Sequence, residues 1–124
     1  MSKEPDELRS AVEKQQYAKA LNLAIVAGAT GEQIEDLRKE ALWQLSAVFR
    51  NAPGTRAFAE HQGLSRKYVE EYLRDRTEEE RSRGQVKILE PTFDHYTNKY
   101  LTFEEWLDYL VRKWDKIPLQ DPKE

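Results

Sequence analysis

Apolar residues recur at three- and four-residue steps along most of the chain, a spacing that predicts helices rather than strands. Leu8, Ala11, Val12, Ala18, Leu21, Ala24 and Ile25 make one stripe. They predict a first helix from Pro5 to about Ala27, with Pro5 in the first turn and Gly28 as the stop. Thr30 and Gln33 have the spacing of a capping box, and Ile34, Leu37, Ala41, Leu45 and Val48 then line a second helix, broadened by Trp43 and Phe49. Segments 5–28 and 30–51 are therefore expected to pair as an antiparallel hairpin, ended by the breaker Asn51-Ala52-Pro53-Gly54.

Beyond the breaker the pattern shortens. Helices are expected at Thr55–Gln62 and Ser65–Arg76, joined by Gly63-Leu64. Thr77 and Glu80 have capping-box spacing, which predicts a helix restarting as far as Arg83 before Gly84. Val86-Lys87-Ile88-Leu89 alternates, which fits either a short strand or an extended connector within 85–100, and Pro91 breaks it. The last helix, 102–117, has the clearest start, with Thr102 and Glu105 as a capping box and Leu101 and Trp106 as a hydrophobic staple. Phe103, Trp106, Leu107, Leu110, Trp114 and Ile117 form its buried stripe, and 118–124 is read as a polar tail. The expected fold is all-α: a compact bundle of about five helices in one domain, 1–124.

Composition narrows the function more than the fold. The chain has no cysteine, which excludes a disulfide framework, a thiol nucleophile and cysteine-held metal. No apolar run is long enough to span a bilayer, and the start of the chain lacks a leader pattern, so no membrane association and a cytoplasmic location are expected. Net charge is −3, which does not suggest a globally basic nucleic-acid binder. The charge is uneven, however. Arg50 to Lys87 holds nine Lys or Arg against seven Asp or Glu.

That mildly basic segment contains Thr55-Arg56-Ala57-Phe58-Ala59-Glu60-His61-Gln62-Gly63-Leu64-Ser65-Arg66-Lys67-Tyr68-Val69-Glu70-Glu71-Tyr72-Leu73-Arg74. This stretch resembles the helix-turn-helix superfamily of DNA-binding domains. Ala59 is small where two helices must cross, Gly63 suits a tight turn of positive φ, Leu64 plugs the junction and Ser65 caps the second helix. Val69 and either Tyr72 or Leu73 are expected to face the core. The resemblance implies that Ser65–Arg76 is a recognition helix whose N-terminal residues meet the major groove. Arg66 and Lys67 would then serve phosphates or guanine edges, Tyr68 and Glu70 would face outward, Arg56 would reach a backbone phosphate, and Ser65 and Arg74 complete the implied set of nucleic-acid contacts. Gln62 departs from the family's apolar preference, and Glu70 and Glu71 would repel phosphate. The bland alternative is a pair of core helices with a solvated charged face.

A second stretch, Asp94-His95-Tyr96-Thr97-Asn98-Lys99-Tyr100-Leu101-Thr102-Phe103-Glu104-Glu105, faintly resembles an EF-hand loop, with Asp94, Asn98 and Glu105 at ligand positions. Tyr96 stands where a ligand is needed and Lys99 where the family has glycine, so no metal is assigned. His61 and His95 lack ligand-spaced partners, and no phosphate-binding or nucleophile-elbow motif occurs. No catalytic residue and no cofactor are assigned. The expected function is a small non-enzymatic DNA-binding or regulatory protein, acting on double-stranded DNA and, for adequate affinity, as a homodimer. The alternative is a helical protein-protein interaction module. Its groove would lie on the Leu8–Phe49 hairpin or on the aromatic-rich stretch Phe93–Trp114.

Overall fold

The computed structural model describes residues 4–118, with side chains from Asp6 onward. The fold is mostly α-helical, with six helices and one short two-stranded antiparallel sheet among the described residues. The chain divides into two compact units, Met1–Gln44 and Leu45–Glu124.

The first unit holds α1 (Glu4–Glu13), α2 (Tyr17–Val26) and α3 (Gly31–Trp43), with α2 packed on both neighbours. The single first helix expected over 5–28 is thus two helices. The break is a left-handed cap made by Gln15, at φ 57°, with Gln16 N–H donating back to the Ala11 carbonyl at 2.8 Å. The side chain of Gln44 then donates to the Gln15 carbonyl at 2.6 Å, satisfying a group the broken helix leaves orphaned. The break resets the helical phase. Ala11, Ala20, Leu21 and Ala24 are buried, while Val12, Ala18 and Ile25 of the predicted stripe are exposed. The Thr30–Gln33 capping box forms in both directions.

A π-helical turn, Gln44–Val48, begins on the last residue of the first unit and continues into the second. Arg50 ends it in a left-handed conformation, φ 48°, with Asn51 N–H donating to the Leu45 carbonyl. There follow α4 (Ala52–Gln62), α5 (Arg66–Ser82), a 3-10 turn at Lys87–Leu89, β1 (Thr92–Asp94), β2 (Lys99–Leu101), α6 (Phe103–Arg112) and a last 3-10 turn at Trp114–Lys116. The expected strand or extended connector at Val86–Leu89 is that first 3-10 turn. The strands lie later, pairing Thr92 with Leu101, Phe93 with Tyr100 and Asp94 with Lys99. Asn98, at φ 60°, makes their turn, and Asp94 accepts from Thr97 N–H at 2.7 Å. The EF-hand-like stretch is therefore a hairpin followed by a capped helix start. Thr102 and Glu105 close the expected capping box.

Two boundaries differ for local reasons. The helix predicted from Thr55 begins at Ala52, because Asn51 caps it and Pro53 fits its first turn. Helix α5 runs on through Thr77 instead of restarting there. The Thr77 hydroxyl is buried and donates to the Leu73 carbonyl at 2.7 Å, one turn back, so it continues the helix rather than capping a new one. The expected helix 102–117 is α6 plus the last 3-10 turn. Its stripe is buried as predicted: Phe103, Trp106, Leu107, Leu110, Trp114 and Ile117, in the same unit as buried Val69 and Leu73 of α5. The tail beyond Pro118 lies outside the described residues.

Arg50 ties these pieces together. Its guanidinium donates to the carbonyls of Leu101 at 3.1 Å, Ile88 at 3.0 Å and Glu90 at 3.2 Å, and its Nε to Ala47 at 3.3 Å. It also lies 5.3 Å from the Phe103 ring centroid. Arg50→Ala should lower unfolding free energy by about 3 kcal/mol in a urea titration, because it strands several backbone carbonyls. Arg50→Gly loses the same contacts but relieves the left-handed backbone, and should be more stable than Arg50→Ala by about 0.5–1 kcal/mol. Both variants within about 0.5 kcal/mol of the parent would show that the bridge holds nothing.

Candidate nucleic-acid interface

The α4–α5 unit is built as the sequence requires. Asn51 Oδ1 accepts from Gly54 N–H at 2.9 Å and starts α4. Gly63 ends it at φ 69°, ψ 29°, and Leu64 N–H closes the turn on the Ala59 carbonyl at 2.8 Å. Ala59 is fully buried. Ser65 Oγ accepts from Tyr68 N–H at 3.0 Å and starts α5, whose Val69 and Leu73 are fully buried. Two helices joined by a glycine turn are therefore present over the stretch that resembles a helix-turn-helix. Between Val69 and its neighbours, Leu73 rather than Tyr72 takes the second core position, Tyr72 being half-buried.

The candidate contact residues fall into two groups. Arg66 and Lys67 are exposed on the first turn of α5, with no bond to any described residue, and Ser65 beside them is spent as the cap. Tyr68 is half-buried. Arg74 is engaged elsewhere. It donates to Glu70 at 3.0 Å and to Asp108 of α6 at 2.8 Å, and the Asp108 hydrogen bond raises its pKa. Glu70 is thereby neutralised in an (i, i+4) pair, while Glu71 stays exposed. Arg56 faces inward rather than toward a phosphate. It donates to the Trp114 carbonyl, sits 5.1 Å from the Trp114 ring centroid and pairs with Glu60 at 3.2 Å. The guanidinium fills a structural seat on the last 3-10 turn.

Sequence reasoning missed a second feature in this unit. A pocket of about 120 Å³ is lined by Ala52, Pro53, Tyr96, Tyr109, Lys113, Lys116, Ile117 and Pro118. Burial pushes the Tyr109 phenol upward, and the nearby charge of Asp94 adds to the shift while Arg112 opposes it, so it is a neutral donor at physiological pH. Lys113 and Lys116, three residues apart and flanking Trp114, were the available signal. Among the described residues no group of three or more His, Cys, Asp or Glu is arranged to hold a metal, and no helix is long and apolar enough to cross a membrane.

No known family model, curated protein or solved structure matches the chain. The site therefore rests on its own geometry.

Because no atom lies within 4 Å of a Cβ added at Gly63, the cost of Gly63→Ala is conformational alone. It should lower thermal stability by about 1 kcal/mol. Ser65→Ala should cost about 1 kcal/mol through the lost cap. A neutral Gly63→Ala, measured by calorimetry, would mean that the turn is not held left-handed in solution.

Proposed function

We propose that this chain is a small non-enzymatic DNA-binding or regulatory protein whose contact surface is the first turn of α5. One observation carries it: the glycine turn and Ser65 cap display Arg66 and Lys67 at a helix N-terminus, exposed and with no bond to any described residue. That end of a helix already favours anions, and a recognition helix meets base edges with the same end. With Arg56 and Arg74 committed to internal bonds, the surface is narrower than the sequence suggested. A single unit of this kind binds weakly, so specific affinity requires two copies on two half-sites.

A second reading, a helical protein-protein interaction module, has its own support. In the first unit Leu8, Val12 and Leu37 line an open groove rimmed by Arg9, Glu13, Gln33 and Asp36, and Val12 is left 38% exposed. Such grooves receive the apolar face of a partner helix.

The deciding measurement is anisotropy of a labelled mixed-sequence duplex across a salt series. The parent should bind at low salt and weaken as salt rises. Arg66→Ala/Lys67→Ala should reduce the slope of log K against log salt by about 2, since each phosphate contact contributes roughly 0.9. No binding at low salt by folded protein would sink the DNA reading and leave the groove of the first unit as the place to look.

A further inference from the structure

The pocket beside the last 3-10 turn has a chemistry of its own. Its buried floor is aliphatic, Ala52, Pro53 and Ile117, and exposed Pro118 also lines it. Its walls are the phenols of Tyr96 and Tyr109, whose hydroxyls bond no described residue. Its rim carries Lys113 and Lys116, both exposed and without an ion pair to any described residue. The pocket is small, about 120 Å³, and half of its lining residues are aliphatic.

Burial of one apolar side chain flanked by two cations and two phenol donors describes a definite ligand. We infer that this pocket binds an acidic protein segment, seating one leucine-sized side chain on the aliphatic floor while neighbouring carboxylates meet Lys113, Lys116 and the phenols. Charge complementarity selects this occupant over a basic or neutral helix. The chain as a whole is acidic, at −3, so the unpaired lysine pair is a local exception. Asp115 lies between the lysines in sequence but does not line the pocket, and Asp94, the carboxylate felt by Tyr109, is buried and already accepts from Thr97. The site does not depend on α5 meeting DNA, and it uses neither Arg66 nor Lys67.

The test is titration of the full chain with a labelled peptide of alternating glutamate and leucine, followed by anisotropy and by amide shifts of residues 96, 109, 113 and 116. Saturable binding is expected, with those amides moving most. A glutamate–serine peptide should bind roughly tenfold more weakly, and a lysine–leucine peptide should not bind. Lys113→Glu/Lys116→Glu should weaken the parent peptide by roughly tenfold or more, while Lys113→Arg/Lys116→Arg retains binding. Both lysines are exposed, so circular dichroism should show either variant folded. Equal affinity for the glutamate–serine peptide would overturn the inference, because the floor would then contribute nothing. So would unchanged binding by the folded charge-reversed protein. Tighter binding of oligothymidylate at the same amides would overturn it in favour of single-stranded nucleic acid.

Discussion

The guanidinium of Arg50 is the constraint on which the second unit depends. It gathers carbonyls from the 3-10 turn at Lys87–Leu89, from Glu90 just beyond it and from β2, elements that share no ladder with one another. Each of those oxygens needs a donor, and one planar cation with five N–H groups supplies them together. Burial lowers the pKa of Arg50, while the charge of Asp94 opposes that shift, and the group stays cationic. Its position is set by a left-handed backbone at the end of a π-turn, where glycine would be the easy choice. The backbone tolerates that conformation because the side chain it aims is satisfied on several sides.

Arg50 also fixes the start of α6, through the face of Phe103. A second arginine fixes its far end: Arg56 from α4 stacks on Trp114 and bonds its carbonyl. The helix with the strongest apolar stripe is thereby held at both ends by cations that lie before it in the chain. This arrangement orients α4, and through the Gly63 turn it orients α5. The exposure of Arg66 and Lys67 is a consequence of that chain of contacts as much as of the local cap.

What the sequence makes legible is what is local. Thr30 with Gln33, Thr102 with Glu105, Gly63 and Ser65 each act within three or four residues, and each forms the cap or turn its spacing implies. The misreadings share a cause of the opposite kind. Gln15 and Arg50 adopt positive φ without being glycine, and their cost is met by Gln44 and by residues 38 to 51 positions away. Thr77 looks like a cap until Leu73 is seen to take its hydroxyl. The direction of Arg56 is decided by a carbonyl 58 residues later, and nothing in its neighbours hints at it. The hairpin at 92–101 has strands too short for alternation to register.

The same commitments reshape the charge argument. The basic excess between Arg50 and Lys87 is not a diffuse patch. Arg50, Arg56, Arg74, Arg76, Arg81 and Arg83 are all held in hydrogen bonds or ion pairs. What remains unbonded there is Arg66 and Lys67 on one helix turn, with Lys87 apart from them. In the same unit Lys113 and Lys116 are likewise exposed, with no bond to any described residue. The two pairs differ in surroundings, and that difference dictates chemistry. Arg66 and Lys67 are exposed on the first turn of α5, so a ligand they hold through phosphates is held by charge and released by salt. Lys113 and Lys116 border an aliphatic pocket, so a ligand there gains from desolvated apolar area that salt does not screen. Salt dependence therefore separates the two surfaces on physical grounds, whichever partner each one meets.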